Sequence, residues 1–197
     1  NLSFKELVEE YNNGKENFCY TIKKNGSIGI DKIENPRITK KDVEVIKMIL
    51  DNNEEIICTP NHQFMLRDGN YKEAKNLNNE DSLMPLHKKI SKIGGKITID
   101  GYEMIWDLND KWIFTHLLAD EYNLENGIYT KEQGEHKHHI NFDKLNNNPS
   151  NLIRLPKEQH LVLHTEHLAN TLHREDVKEK ARQAHRDTDY RKKVSEW

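Results

Sequence analysis

Cysteine, long apolar runs and a strong charge of either sign are all scarce in this chain, and each scarcity excludes something. The two cysteines, Cys19 and Cys58, stand far apart and form no Cys-x-x-Cys spacing. A disulfide framework is therefore not expected, nor is a cysteine-based zinc knot, and the usage fits a reducing cytoplasm. No apolar stretch approaches the roughly twenty residues that cross a bilayer. No basic-then-apolar leader opens the chain, so no membrane partner is expected. The net charge of −3 gives no global attraction to a polyanion. Hydrophobic residues make up 35% of the chain against 32% charged, so cores should be modest and polar surfaces long. No internal repeat stands out, and 197 residues suit one or two domains.

Histidine is plentiful, with 11 residues, and its placement carries chemistry. Lys137-His138-His139-Ile140 is short and ends β-branched, as a strand does. Asn146-Asn147-Asn148-Pro149-Ser150 is dense turn chemistry, and Asn151-Leu152-Ile153-Arg154-Leu155 reads as a second strand. Pro156 then sits where a helix starts, and nothing breaks that helix before Leu168. His160, His164 and His167 fall at i, i+4 and i+7 and share one face. Leu161, Leu168 and Leu172 form a neighbouring stripe expected to pack down. The local expectation is a hairpin with a long loop, packed on a helix, with imidazoles converging from both. Strand alternation sends His138 and His139 to opposite faces. One can face the helix and share a cation with His160 and His164, and the other can face outward to a water. An imidazole with its ordinary pKa of about 6.5 serves both as ligand and as base. Three protein ligands leave a position open, as catalytic sites do. His116, His136, His167, His173 and His185 read as ordinary surface histidines.

These residues resemble the HNH, or ββα-metal, endonuclease family over roughly residues 102 to 168. The resemblance rests on His138-His139, on Asn151-Leu152, and on His160 nine positions after Asn151. It implies that His139 is the general base, that His138 and His160 ligate the metal with His164 as a third ligand, and that Asn151 holds the base in place. It also implies one divalent cation, Mg2+ or Mn2+ with Zn2+ as the alternative, and double-stranded DNA as the partner.

The first half is chemically different. Val43 to Leu50, a turn at Asp51-Asn52-Asn53-Glu54, and Glu55 to Thr59 give a hairpin. Further short strands and turns follow to Asp81-Ser82-Leu83-Met84-Pro85, and this pattern argues for a small all-β module. Thr59-Pro60-Asn61-His62 with Phe64, Asp68-Gly69 and the block 81–85 resembles the amino-terminal part of an intein, the Hint fold. The resemblance implies that Thr59 and His62 polarise the peptide bond at an upstream splice junction. The chain lacks that family's opening Cys or Ser nucleophile and its closing His-Asn pair, so this polypeptide is not expected to splice as it stands.

The fold expected is α+β: a mostly-β partial Hint module at 1–88, a linker at 89–101 around Gly94-Gly95, an HNH domain at 102–169, and a basic helical tail at 170–197. Residues 144–197 carry 11 Lys and Arg against 8 Asp and Glu. Arg182, Arg186, Arg191, Lys192 and Lys193 are therefore candidate DNA contacts. The leading expectation is an intein-embedded homing endonuclease located in the cytoplasm. Its rivals are a splicing element with an inactive nuclease, and a zinc-stabilised DNA-binding module that cuts nothing.

Overall fold

The computed structural model describes residues 2–107, 109–172 and 174–186. The chain divides into two compact units, Asn1–Tyr122 and Asn123–Trp197.

The first unit is a set of small antiparallel sheets. Helix α1 (Phe4–Asn12) begins at Ser3, whose hydroxyl accepts from the Glu6 N–H while the Glu6 carboxylate accepts from the Ser3 N–H. This reciprocal cap satisfies two otherwise orphaned donors. Strands β1 (Phe18–Ile22) and β2 (Ile28–Lys32) form a hairpin whose tight turn uses Gly26 at φ +83. β3 (Ile46–Ile49) and β4 (Glu55–Cys58) form the hairpin expected from the 51–54 turn, with Asn53 taking the left-handed conformation. β5 (Gln63–Met65) and β6 (Tyr71–Glu73) pair across Asp68-Gly69.

β7 (Lys88–Ile90), β8 (Glu103–Asp107) and β9 (Lys111–Phe114) make a three-stranded sheet in that order. The stretch expected as a linker at 89–101 thus opens inside a strand, with Lys89 opposite Met104, and Gly94 bridges back to Ile97. As the middle strand of this sheet, β8 is covered on both faces, with Met104 buried on one and Ile105 and Asp107 on the other. Burying a side chain such as Ile105 contributes about 2–3 kcal/mol. Asp107 is buried because it holds the unit together: its Oδ1 accepts from the Ile28 N–H at 3.1 Å, and its Oδ2 accepts from the Asn109 side chain at 2.7 Å. The Tyr20 hydroxyl donates to Glu103 at 2.7 Å, and Lys88 donates to the same carboxylate at 3.0 Å. Burial, then this carboxylate, pushes the Tyr20 phenol well above its usual range. Helix α2 (Thr115–Glu125) follows β9 directly, and the boundary between the units falls within it.

The second unit is built around one hairpin and a helix. Strands β10 (His136–His139) and β11 (Leu152–Leu155) pair antiparallel, His138 opposite Ile153 and His139 opposite Leu152. Pro156 caps helix α3 (Lys157–Asn170), which packs against β10. α4 (Glu175–Arg186) ends the described chain. Leu152 and Leu155 are buried, and Asn123 donates to the Pro149 carbonyl at 2.9 Å. The leucine stripe of α3 does not pack down among the described residues. Leu161, Leu168 and Leu172 are 55%, 41% and 61% exposed. The face turned to β10 is the histidine row, and a residue one step along a helix lies about 100° away from it.

No helix among the described residues is long and apolar enough to cross a membrane.

Candidate metal centre

Strand alternation explains which imidazoles meet. His136 and His138, two residues apart on β10, lie on the same face and turn towards α3. His136 stacks on His160, with centroids 4.9 Å apart, and His138 meets His160 and His164 edge-on at 5.3 and 5.0 Å. His160 and His164, one helical turn apart, are 4.5 Å apart. One ring nitrogen each from His138, His160 and His164 lies within 4.8 Å of the others. His138 is buried, His160 half-buried and His164 exposed. Burial first, then the neighbouring imidazoles, lower the His138 pKa to about 4, and the same causes depress His160. Both rings therefore present lone pairs at neutral pH, as a ligand must. Three ring nitrogens from two elements, with one ring open to solvent, fit a divalent cation that keeps an exchangeable position.

His139 turns the other way but not outward. It is buried because the loop after β10 folds back over its face. The His139 Nε2 lies 3.2 Å from Asn147 Oδ1. The Asn147 amide nitrogen donates to the Leu145 carbonyl at 3.4 Å, which leaves its oxygen for the ring.

Asn151 braces the loop. Its Oδ1 accepts from the Asn141 N–H at 3.1 Å, and its Nδ2 donates to Asn141 Oδ1 and to the Asn146 carbonyl at 2.9 and 2.8 Å. The family resemblance puts Asn151 beside the base, whereas in the structure the amide that meets the His139 ring belongs to Asn147. Nothing in a run of three asparagines distinguishes which one reaches the ring. His136, an ordinary surface residue by sequence, joins the cluster instead, and its i, i+2 spacing from His138 was the available signal. His167 stacks on Phe142, a residue that sequence reasoning passes over, with centroids 3.7 Å apart.

The other candidates lie elsewhere. Thr59 and His62 share one turn between β4 and β5, with the His62 N–H donating to the Thr59 carbonyl at 3.0 Å. Thr59 is half-buried, and His62 is exposed and meets Phe64 edge-on at 4.8 Å. Arg182 lies in α4 within 3.8 Å of Glu175 and 3.3 Å of Glu179, so this basic side chain is partly neutralised by its own helix. Arg191, Lys192, Lys193 and the Arg186 side chain lie outside the described residues.

The intein splicing domain family matches residues 1–195, and the chain belongs to that family: it is a protein-splicing element, built for autoprocessing at peptide bonds. It is also 58% identical, over 196 residues, to part of the DNA gyrase B subunit from Synechocystis sp.. That match covers 98% of this chain and 18% of the relative's length.

Proposed function

We propose that this protein-splicing element also carries an HNH-type, metal-dependent DNA endonuclease in its second unit, and that it interrupts a host resembling a gyrase B subunit. Protein splicing rests on the family match. In that activity the Thr59 hydroxyl and His62 imidazole bond the amide at the upstream junction and protonate its nitrogen.

The observation that supports the nuclease is the convergence of His138, His160 and His164 within 4.8 Å, next to a base candidate on the opposite strand face. These three residues would hold the ion. A divalent cation bound there supplies charge stabilisation at a phosphoryl oxygen and at the departing 3′ oxygen. His139, oriented by Asn147, takes the proton from the attacking water. Asn151 keeps the loop that carries Asn147 in place. Arg182, Arg186, Arg191, Lys192 and Lys193 supply phosphate contacts that position the duplex without reading its sequence.

Supercoiled plasmid incubated with the protein and Mg2+ or Mn2+ tests the nuclease. Nicked or linear product that disappears with chelator and with His139→Ala is expected. Intact plasmid under every metal condition would remove the nuclease and leave splicing alone. Splicing is tested separately, by expressing the element within its flanking coding sequence. Ligated flanks that diminish in Thr59→Ala and His62→Ala are expected.

A further inference from the structure

The turn after β10 places a large aromatic residue where the backbone disfavours one. Phe142 has φ +61, a left-handed conformation that bulky side chains avoid. Its neighbours Asn141 and Asp143 are residue types that tolerate this region better. A shift of one residue would relieve the backbone and withdraw the ring. The ring is engaged on three sides: edge-on to His138 at 4.8 Å, edge-on to His164 at 5.5 Å, and stacked on His167 at 3.7 Å with an interplanar angle of 10°. Two of these three partners are the proposed ligands, and the third lies on the same helix face as His164.

The turn is anchored at its strained residue and at the residue before it. Phe142 N–H donates to the His139 carbonyl at 2.8 Å, and the Asn151 side chain grips both the N–H and the side chain of Asn141. An outlier held this firmly, beside a cluster of potential ligands, is where stored strain has a use.

We propose that Phe142, backed by His167, is a positioning residue for the metal centre: its ring walls one side of the site and fixes the orientations of the His138 and His164 imidazoles. The inference rests on the metal reading above. Without the ring, both imidazoles turn more freely about their side-chain bonds, and water reaches the site from that side. Neighbours that orient ligands in this way alter metal affinity by about ten- to a hundredfold.

The experiment is Co2+ titration of the full chain, followed by visible absorption and by the melting temperature of the metal-free protein. Phe142→Asn keeps a residue suited to the turn while removing the ring. Phe142→Tyr keeps the ring. The parent and Phe142→Tyr should bind Co2+ alike. Phe142→Asn should bind about tenfold more weakly with a displaced absorption band, its metal-free melting unchanged or raised by release of the strain. His167→Ala should shift in the same direction. Parental affinity and band in Phe142→Asn would overturn the positioning role while leaving the metal centre standing. Weaker binding with an equal loss of metal-free stability and no band shift would overturn it as well, since that is a folding effect. If the parent itself takes up no Co2+, the metal reading fails and this inference fails with it.

Discussion

Gly134→Ala should damage the proposed metal centre from outside it. Gly134 lies just before β10 with φ +153 and ψ +165, a region essentially reserved for glycine. A Cβ there would lie 2.5 Å from Pro156 N and closer still to the carbonyl carbon and oxygen of Leu155. These are backbone atoms at the junction of β11 and α3, so no side chain can swing aside. The Gly134 carbonyl also accepts from the buried Arg154 guanidinium at 3.1 Å. Forcing alanine into this conformation costs about 1–3 kcal/mol, and the collision adds about 1–3 kcal/mol more. A loss of about 2–6 kcal/mol in the second unit follows, or a fall of about 10 °C or more in its melting temperature. The junction must move by enough to separate His138 on β10 from His160 and His164 on α3, so Co2+ affinity should fall as well. Gly127→Ala is the control, because Gly127 has φ +66 with nothing within 4 Å of its Cβ position. It should cost only the conformational part, about 1–2 kcal/mol. Calorimetry and Co2+ titration of both variants decide the matter. Parental melting and metal affinity in Gly134→Ala would refute the reasoning.

Acidification should destabilise the metal-free second unit through His138. The folded pKa of about 4 lies below the ordinary value of 6.5, so the unfolded chain binds the proton first as pH falls. The stability is fully present above about pH 6.5 and is lost as pH drops through about 4. The displacement corresponds to about 3 kcal/mol, which solvent at the exposed side of the cluster screens to about 2. Urea unfolding with chelator at pH 7, 5.5 and 4.5 should show this slope, and His138→Gln should flatten it. Asn151→Ala leaves the Asn141 N–H and the Asn146 carbonyl without their partner, at about 2–3 kcal/mol. Faster tryptic cleavage after the exposed Lys144 is the expected sign, and parental protection would count against the bracing role. Asp107→Ala strips the Ile28 N–H of its buried acceptor and should lower the stability of the first unit by about 1–3 kcal/mol in thermal melts.

What was legible in the sequence was mostly what is local. The hairpin from His136 to Leu155, the helix after Pro156 and the convergence of His138, His160 and His164 follow from alternation, proline placement and the i, i+4 rule. Each depends on neighbours within a few residues. The β3–β4 hairpin was equally readable, because its turn is built from Asp51, Asn52 and Asn53. Three features were not legible. β7 pairs with a strand beginning at Glu103, and a short Lys-Lys-Ile run before Gly94-Gly95 carries no sign of such a distant partner. The left-handed position after β10 falls on Phe142 rather than on Asn141 or Asp143, against local preference, and it sets the ring against three imidazoles. His139 faces inward because Asn147 folds over it, and loop conformation is set by the amide network of Asn141, Asn146 and Asn151 rather than by any period in the chain.

The graded exposure of the three imidazoles gives the proposed metal centre a direction. A cation arriving from bulk would meet His164 on the surface first, His160 next and the enclosed His138 last. Departure would reverse that order, so a chelator would compete for the outermost bond before it could reach the inner two. Uptake and release would then be governed by one solvent-facing ring on a helix, and the sheltered ring on the strand would determine how long the ion stays.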